Sequence, residues 1–356
     1  KWNAATGKGY WRQPPRDVAA FARFMSAAVA RYRGVVHSWE LWNEPDNADY
    51  WAGSVEQYAQ LVRAGAAAVR SADPSAKIVL GGISWNVAFL RQLFRDQHIG
   101  GAIDIVNLHS YYETWIPDPL ERLPEYVGRV HDLIARYGQG QTIWAAEIGY
   151  SDYRRGRSVS ADNEARFEYE HTPAYQADDL FRALTLLRAG GEVSLATWYR
   201  INDLPVTQDV IGDVNNRHLG VVTTTGQAKP ALVALQEFQH LLGGPLRVID
   251  NQSWVRRLAG SDAEVHCFGR ADGDVIAVLW LRTEVAGSEQ SSTSGGDPRQ
   301  EQVQVTVPMP FARASQCDLL DPAWQPLPID ATDGLTTVSI THLHGGRTRV
   351  VRFSQR

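Results

Sequence analysis

The chain has 356 residues, 44% of them apolar and 21% charged, with a formal net charge of −5. That length holds two domains and a sizeable core, and the composition is that of an ordinary globular protein. No basic block suggests nucleic acid, no apolar run approaches the ~20 residues of a membrane helix, and Cys267 and Cys317 can pair or stay free.

Residues 17–33 place Val18, Phe21, Phe24, Met25, Val29 and Tyr32 at helical spacing, with Asp17 as N-cap and Gly34 as stop. The apolar run from Val35 to Trp42 reads as a strand. Ser54-Val55-Glu56-Gln57 reads as a capping box that opens a helix running to about Ser71. A strand follows at 77–81, a helix at 86–97, a strand at 103–108, a helix at 119–137 closed by Gly138, and a strand at 142–147. Residues 151–172 form a polar insertion. After it come a helix at 174–189, a strand at 193–199 and a helix at about 229–242, with Pro230 near its start. Alternating apolar strands and helices predict βαβ units and a parallel sheet, open or closed.

The pattern changes at Gly243-Gly244-Pro245. Short β-rich segments follow at 253–258, 263–270, 274–281, 302–308, 334–340 and 347–353, separated by Gly, Asp and Pro turns. Residues 285–299 are a flexible loop by composition. The expected organisation is an α/β domain over 1–243 and an all-β sandwich over 244–356.

In α/β sheets the functional site forms at the carboxyl ends of the strands. Here those ends carry Trp42-Asn43-Glu44, Ser84-Trp85, His109-Ser110-Tyr111-Tyr112, Glu147 and Trp198-Tyr199. Polar and aromatic groups from five strands therefore gather on one rim. Glu44 and Glu147 are two carboxylates across a pocket, the pair that cleaves glycosidic bonds. His109 and Tyr111 are two apart and should point the same way on an extended strand, where a Tyr would hold a carboxylate ionised. The bland readings are set beside these. Glu40, four before Glu44 on the same strand, belongs to a buried polar network. Trp85, Tyr112, Trp115, Tyr150 and Tyr199 are sugar platforms or rim packing, and Glu164, Glu168 and Glu170 are a solvated face. No Cys/His cluster has zinc-ligand spacing, and no Gly-rich dinucleotide fingerprint follows a strand.

Trp42-Asn43-Glu44-Pro45 resembles the acid/base motif that ends the fourth strand of clan A retaining glycoside hydrolases. "WAAEIG" resembles the clan's seventh-strand motif, His109-Ser110-Tyr111 its sixth, and Trp198 the eighth-strand tryptophan that floors the sugar subsite. The frame "RYRGVVHSWELWNEPDNADYW" with "YAQLVRAGAAAVRSADPSAKIVLGG" resembles glycoside hydrolase family 39 most, and family 5 relatives next. The resemblance covers roughly 1–243 and implies a (β/α)8 TIM-type barrel followed by a β-sandwich. It implies Glu44 as general acid/base, Glu147 as nucleophile and Asn43 on the sugar 2-hydroxyl. Trp42, His109, Tyr111, Trp198, Trp85 and Tyr199 would line the substrate site. No cofactor and no metal are implied, since two carboxylates suffice.

The same resemblance exposes a departure. Strands one to three of the barrel have no counterpart, because the fourth-strand motif begins at residue 35, whereas a barrel takes about 250 residues. Three accounts fit: a fragment of a longer protein, a homodimer in which a partner copy covers the open side, or a truncated and weakly active fold. The expected partner is a saccharide, not nucleic acid or a membrane. Two alternatives remain open, a family 5-like endo-glucanase or mannanase, and a carbohydrate-binding protein descended from a hydrolase. The sequence leaves the compartment, secreted or cytoplasmic, undecided.

Overall fold

The computed structural model describes residues 9–153, 169–249, 261–283 and 297–355. The expected strand at 253–258, Glu164 and Glu168, and most of the 285–299 loop lie outside the described residues. The chain groups into two compact units. The first comprises Lys1–Ser110, Pro124–Ile148 and Gly191–Trp198, and the second Tyr111–Leu123, Gly149–Gly190 and Tyr199–Arg356.

The first unit alternates helix and strand: α1 (Val18–Arg31), β1 (Ser38–Leu41), α2 (Val55–Ala72), β2 (Lys77–Ile83), α3 (Val87–Arg91), β3 (Ile105–Ser110), α4 (Leu123–Tyr137), β4 (Thr142–Ile148) and β5 (Val193–Trp198). Its starts are written in the side chains. Asp17 accepts from the Ala19 amide at 2.8 Å. Ser54 and Gln57 close a reciprocal capping box at α2. The five strands are parallel and lie in chain order, β1-β2-β3-β4-β5. Among the described residues β1 and β5 are the two ends of this sheet. Its interior strands read as continuous apolar runs, and Ile78, Val79, Leu80, Val106 and Leu108 are buried.

Two expectations change here. The strand expected over 35–42 shortens to four residues. Val35 and Val36 still donate to Tyr32 O in the turn that ends α1, and Trp42 leaves the strand at φ 90°. The helix expected over 86–97 is α-helical only to Arg91 and continues as a π turn over Gln92–Asp96.

In the second unit α5 (Pro173–Gly190) is buried from Tyr175 to Leu187, the mark of a helix covered on all sides. It packs on α6 (Pro230–Leu242), which carries Pro230 at its first position. Among the described residues nine strands follow: β6 (Leu246–Ile249), β7 (Ala263–Arg270), β8 (Val275–Leu281), β9 (Gln300–Val307), β10 (Arg313–Asp318), β11 (Asp321–Leu327), β12 (Asp330–Thr332), β13 (Leu335–His344) and β14 (Arg349–Ser354). They form antiparallel sheets of order β11-β10-β14-β8-β7-β6 and β12-β13-β9. Val265, Ala277 and Val351 of the larger sheet share one apolar cluster with Val303, Val305, Val338 and Ile340 of the smaller. Cys267 and Cys317 are both buried thiols rather than a disulfide, and burial pushes both up to about 12.

The second unit also buries a carboxylate-rich network. Glu113 is fully buried and accepts from Leu120 N and Tyr175 Oη, each at 2.9 Å. Glu121 accepts from Trp280 Nε1 at 2.8 Å. Arg182, 1% exposed, donates to Thr348 Oγ1. Burial, and then the neighbouring Glu121 charge, pushes the Glu113 carboxyl up to about 7.

Candidate active site

Glu44 leaves the end of β1 through an unusual backbone. Trp42 has φ 90° and Glu44 φ 42°, so two non-glycine residues take left-handed conformations within three positions. Asn47 N donates to Glu44 O at 3.0 Å and closes the turn. Beneath it, Trp42 Nε1 donates to Tyr50 O, and its ring meets Trp51 edge-on at 5.2 Å. Trp51 in turn meets Tyr58 of α2 at 5.6 Å. The Tyr58 hydroxyl donates to Leu41 O and accepts from Gly81 N, tying the ends of β1 and β2 together. Trp42 thus has its polar end committed inside the loop.

Both oxygens of Glu44 are engaged. His109 Nδ1 lies 2.9 Å from Oε1, and Asn47 Nδ2 donates to Oε2 at 2.8 Å. The Asn47 amide cannot point otherwise, because its Oδ1 accepts from Asp49 N at 3.0 Å. His109 Nδ1 also lies 3.5 Å from Glu147 Oε2, at the end of β4. One carboxylate oxygen of Glu44, one of Glu147 and a ring nitrogen of His109 all fall within 4.8 Å of one another. The side chains of Glu44 and His109 are 8% and 3% exposed, and that of Glu147 is 21% exposed.

The tautomer of His109 follows from Asn107, two residues before it on β3. Asn107 Oδ1 accepts from Ala146 N at 2.9 Å, and its Nδ2 donates to Glu40 Oε1 at 2.9 Å. That fixes the amide, so a donor faces His109 Nε2 at 3.4 Å. Nε2 therefore carries the lone pair in the neutral ring, and the proton sits on Nδ1, aimed at Glu44. Burial pulls the imidazole pKa down, but the bond to Glu44 and the charges of Glu147, Glu44 and Glu40 outweigh it and leave it raised. With Nδ1–H directed at Glu44, His109 has no lone pair to offer a metal there. A second cluster of Asp152, Asp203 and His218 already holds a cation, since Lys229 Nζ lies 2.7 Å from Asp152 and 3.2 Å from Asp203.

Glu40 differs from its expected place. The chain turns at Trp42, so Glu40 and Glu44 do not share one strand, and Glu40 is exposed rather than buried. It still joins a polar network, accepting from Gly82 N at 2.8 Å and from Asn107. Gly82 sits in an irregularity of β2 between Leu80 and Ile83, and a Cβ there would collide with the His109 ring.

Asn43 is half-buried, and its amide makes no hydrogen bond among the described residues. Trp198 ends β5, paired with Ile148 of β4. Trp85, just past β2, is 53% exposed. Tyr111 and Tyr199 belong to the second unit, where Tyr111 packs edge-on to Trp115 at 4.6 Å and to Tyr199 at 6.2 Å. β3 stops at Ser110, so the alternation expected to align Tyr111 with His109 ends before it. Tyr112 and Tyr150 are 5% and 0% exposed, which makes them core rather than platforms. Asp46, Asn47, Gly82 and Asn107 were not expected. Asn107 alone had a legible signal, its same-face spacing from His109.

Solved structures with the same architecture include a family 39 glycoside hydrolase from Bacteroides cellulosilyticus WH2, at 17% identity and TM-score 0.64, covering 96% of this chain and 63% of that one. A monomeric β-xylosidase from Caulobacter crescentus CB15 follows at 15% identity and TM-score 0.60, covering 96% and 76%. A GH51 arabinofuranosidase from Xanthomonas axonopodis pv. citri matches at 14% identity and TM-score 0.59, covering 95% and 72%. The fold is that of these glycoside hydrolases. The chain thus spans less than two thirds of the length of the first and about three quarters of the others. No protein-family model and no curated protein matches the sequence. Among the described residues no helix is long and apolar enough to cross a membrane.

Proposed function

We propose that the chain is a retaining glycoside hydrolase acting on β-linked saccharides, with β-xylosides and β-glucosides as first candidates. One observation carries the reading: oxygens of Glu44 and Glu147 stand within 4.8 Å of each other, the close spacing that direct attack on the anomeric carbon requires. Glu147, the more exposed carboxylate, attacks that carbon. The glycosidic C–O bond breaks, its electron pair stays on the leaving oxygen, and Glu44 gives that oxygen a proton. A covalent glycosyl-enzyme results. Glu44, now ionised, takes a proton from water, whose oxygen displaces Glu147 from the sugar.

The roles of the other groups follow from their places. His109 and Asn47 donate to Glu44 in its ionised form and hold it ready as the base of the second step. Asn43, with its amide uncommitted among the described residues, binds the sugar 2-hydroxyl. Trp198, beside Glu147 across the β4–β5 ladder, floors the sugar whose anomeric carbon reacts.

The test is incubation with activated 2-deoxy-2-fluoro β-glycosides, followed by mass spectrometry of the intact chain and its peptides. A stable mass gain on the peptide holding Glu147 is expected. Folded chain that takes no label from xylo- or gluco-configured reagents contradicts this proposal.

A further inference from the structure

Four donors converge on one carboxylate beside the site. Asp46 Oδ1 accepts from Ser84 N at 3.1 Å, and Oδ2 accepts from Ser84 Oγ, Trp85 N and Asn86 N at 3.0, 3.2 and 3.0 Å. Asp46 stands two residues after Glu44, while Ser84 to Asn86 follow β2. The loop that carries the acid therefore grips the loop that carries Trp85. Asn86 then caps α3 by accepting from Phe89 N, so the gripped segment is fixed on both sides. What this framework presents is an indole 53% exposed, with no ring partner and no hydrogen bond among the described residues. A large apolar ring on a backbone held in place lets a sugar stack with little ordering cost beyond that of the side chain itself.

Strand order says which sugar. Glu44, Trp85, His109, Glu147 and Trp198 follow β1 to β5 in sequence. The acid thus has Trp85 on the adjacent strand, and the nucleophile has Trp198. The acid protonates the leaving oxygen, so the ring nearest it is that of the leaving group. We propose that Trp85, positioned by Asp46, is the stacking platform for the sugar ring on the leaving-group side of the scissile bond. This rests on the glycosidase reading, and it makes the preferred substrate one whose leaving group is itself a sugar.

The experiment uses the full chain with Glu147→Gln as a common background, so that ligands bind without turnover. Two pairs of probes are titrated by NMR: methyl β-xyloside against xylobiose, and methyl β-glucoside against cellobiose. Trp85→Ala is expected to weaken the disaccharide of the binding pair about five- to tenfold and to leave its methyl glycoside within twofold. Trp85→Tyr, which keeps a ring, should retain most of the affinity. Asp46→Asn puts an amide donor against backbone donors, and it should weaken the disaccharide in the same sense while leaving the methyl glycoside unchanged. An unchanged disaccharide affinity in Trp85→Ala overturns the platform, as does an equal loss on both members of the pair. Failure of all four probes to bind the background chain overturns the glycosidase reading and this inference together, an outcome distinct from the other two.

Discussion

His109 Nδ1 stands 2.9 Å from Glu44 Oε1 and 3.5 Å from Glu147 Oε2, so one imidazole edge spans the two carboxylates. The ring is directed at Glu44 and lies near Glu147, so it keeps the two carboxyl groups at a fixed spacing. His109→Ala is expected to lower kcat/KM on the order of 100-fold, because both carboxylates lose the group that spaces them. His109→Gln, which can still donate, should recover part of the loss. Steady-state kinetics on both variants, with circular dichroism to show that each is folded, checks this. A wild-type rate in His109→Ala would remove the spacing role.

The two carboxylates are expected to separate by leaving group. Glu44→Ala should lose about 10²- to 10⁴-fold on substrates with a poor leaving group and far less on activated aryl glycosides, since only the former need a proton. Glu147→Ala should lose activity on both, with partial recovery in azide, which enters the space the carboxylate vacates. Rates across a leaving-group series, with and without azide, distinguish the roles. Equal losses on both classes in Glu44→Ala would argue against its acid role.

Gly82 is expected to be a hidden requirement of the site. A methyl group there meets the His109 ring, and the ring has Glu44 on its far side. Gly82→Ala should therefore cost about 1–3 kcal/mol of stability. It should also lower kcat as His109→Ala does, although residue 82 touches no substrate. Chemical denaturation measured beside kinetics tests the pair of effects. Lost stability with an unchanged kcat would show that the ring tolerates the shift.

Glu113 gives stability a direction with pH. Its folded pKa, about 7, lies above the ordinary value of 4.5, so the native state holds the proton more tightly than the unfolded chain. The stabilisation is full below about pH 4.5 and is lost as pH rises through about 7. Buried Asp179 is pushed the same way, by burial and then by Glu113, and the Arg182 charge opposes both shifts. Melting temperature recorded from pH 5 to 8 should fall less steeply for Glu113→Gln than for the parent chain. Parallel slopes would mean that this carboxyl does not govern the fall.

The grouping of Glu44, His109 and Glu147 in the candidate site was legible because each stands at the end of an apolar run. Glu44, His109 and Glu147 stand where strand-forming residues give way to polar ones, and the βα rhythm places such ends on one rim. What was not legible depends on backbone torsions that residue type does not announce. Trp42 and Glu44 turn through positive φ, so alternation along 35–44 misplaced Glu40. The grip of Asp46 on Ser84 to Asn86 and the bond from Asn47 to Glu44 are loop contacts without a periodic trace. In the second unit, β11 and β12 are exposed along most of their length, so no alternation marked them.

Glu44 and Glu147, the proposed acid and nucleophile, rest on supports of unequal depth. Glu147 stands near the end of a seven-residue strand, whereas Glu44 follows a strand of four residues. A short strand with few ladder bonds opens at lower free energy than a long one. On warming, β1 would fray while β4 stays in register, and the chain would lose the proposed proton donor while keeping the proposed nucleophile. Thermal inactivation on natural glycosides would then precede the melting transition, while labelling by activated fluoro-sugars would persist up to it.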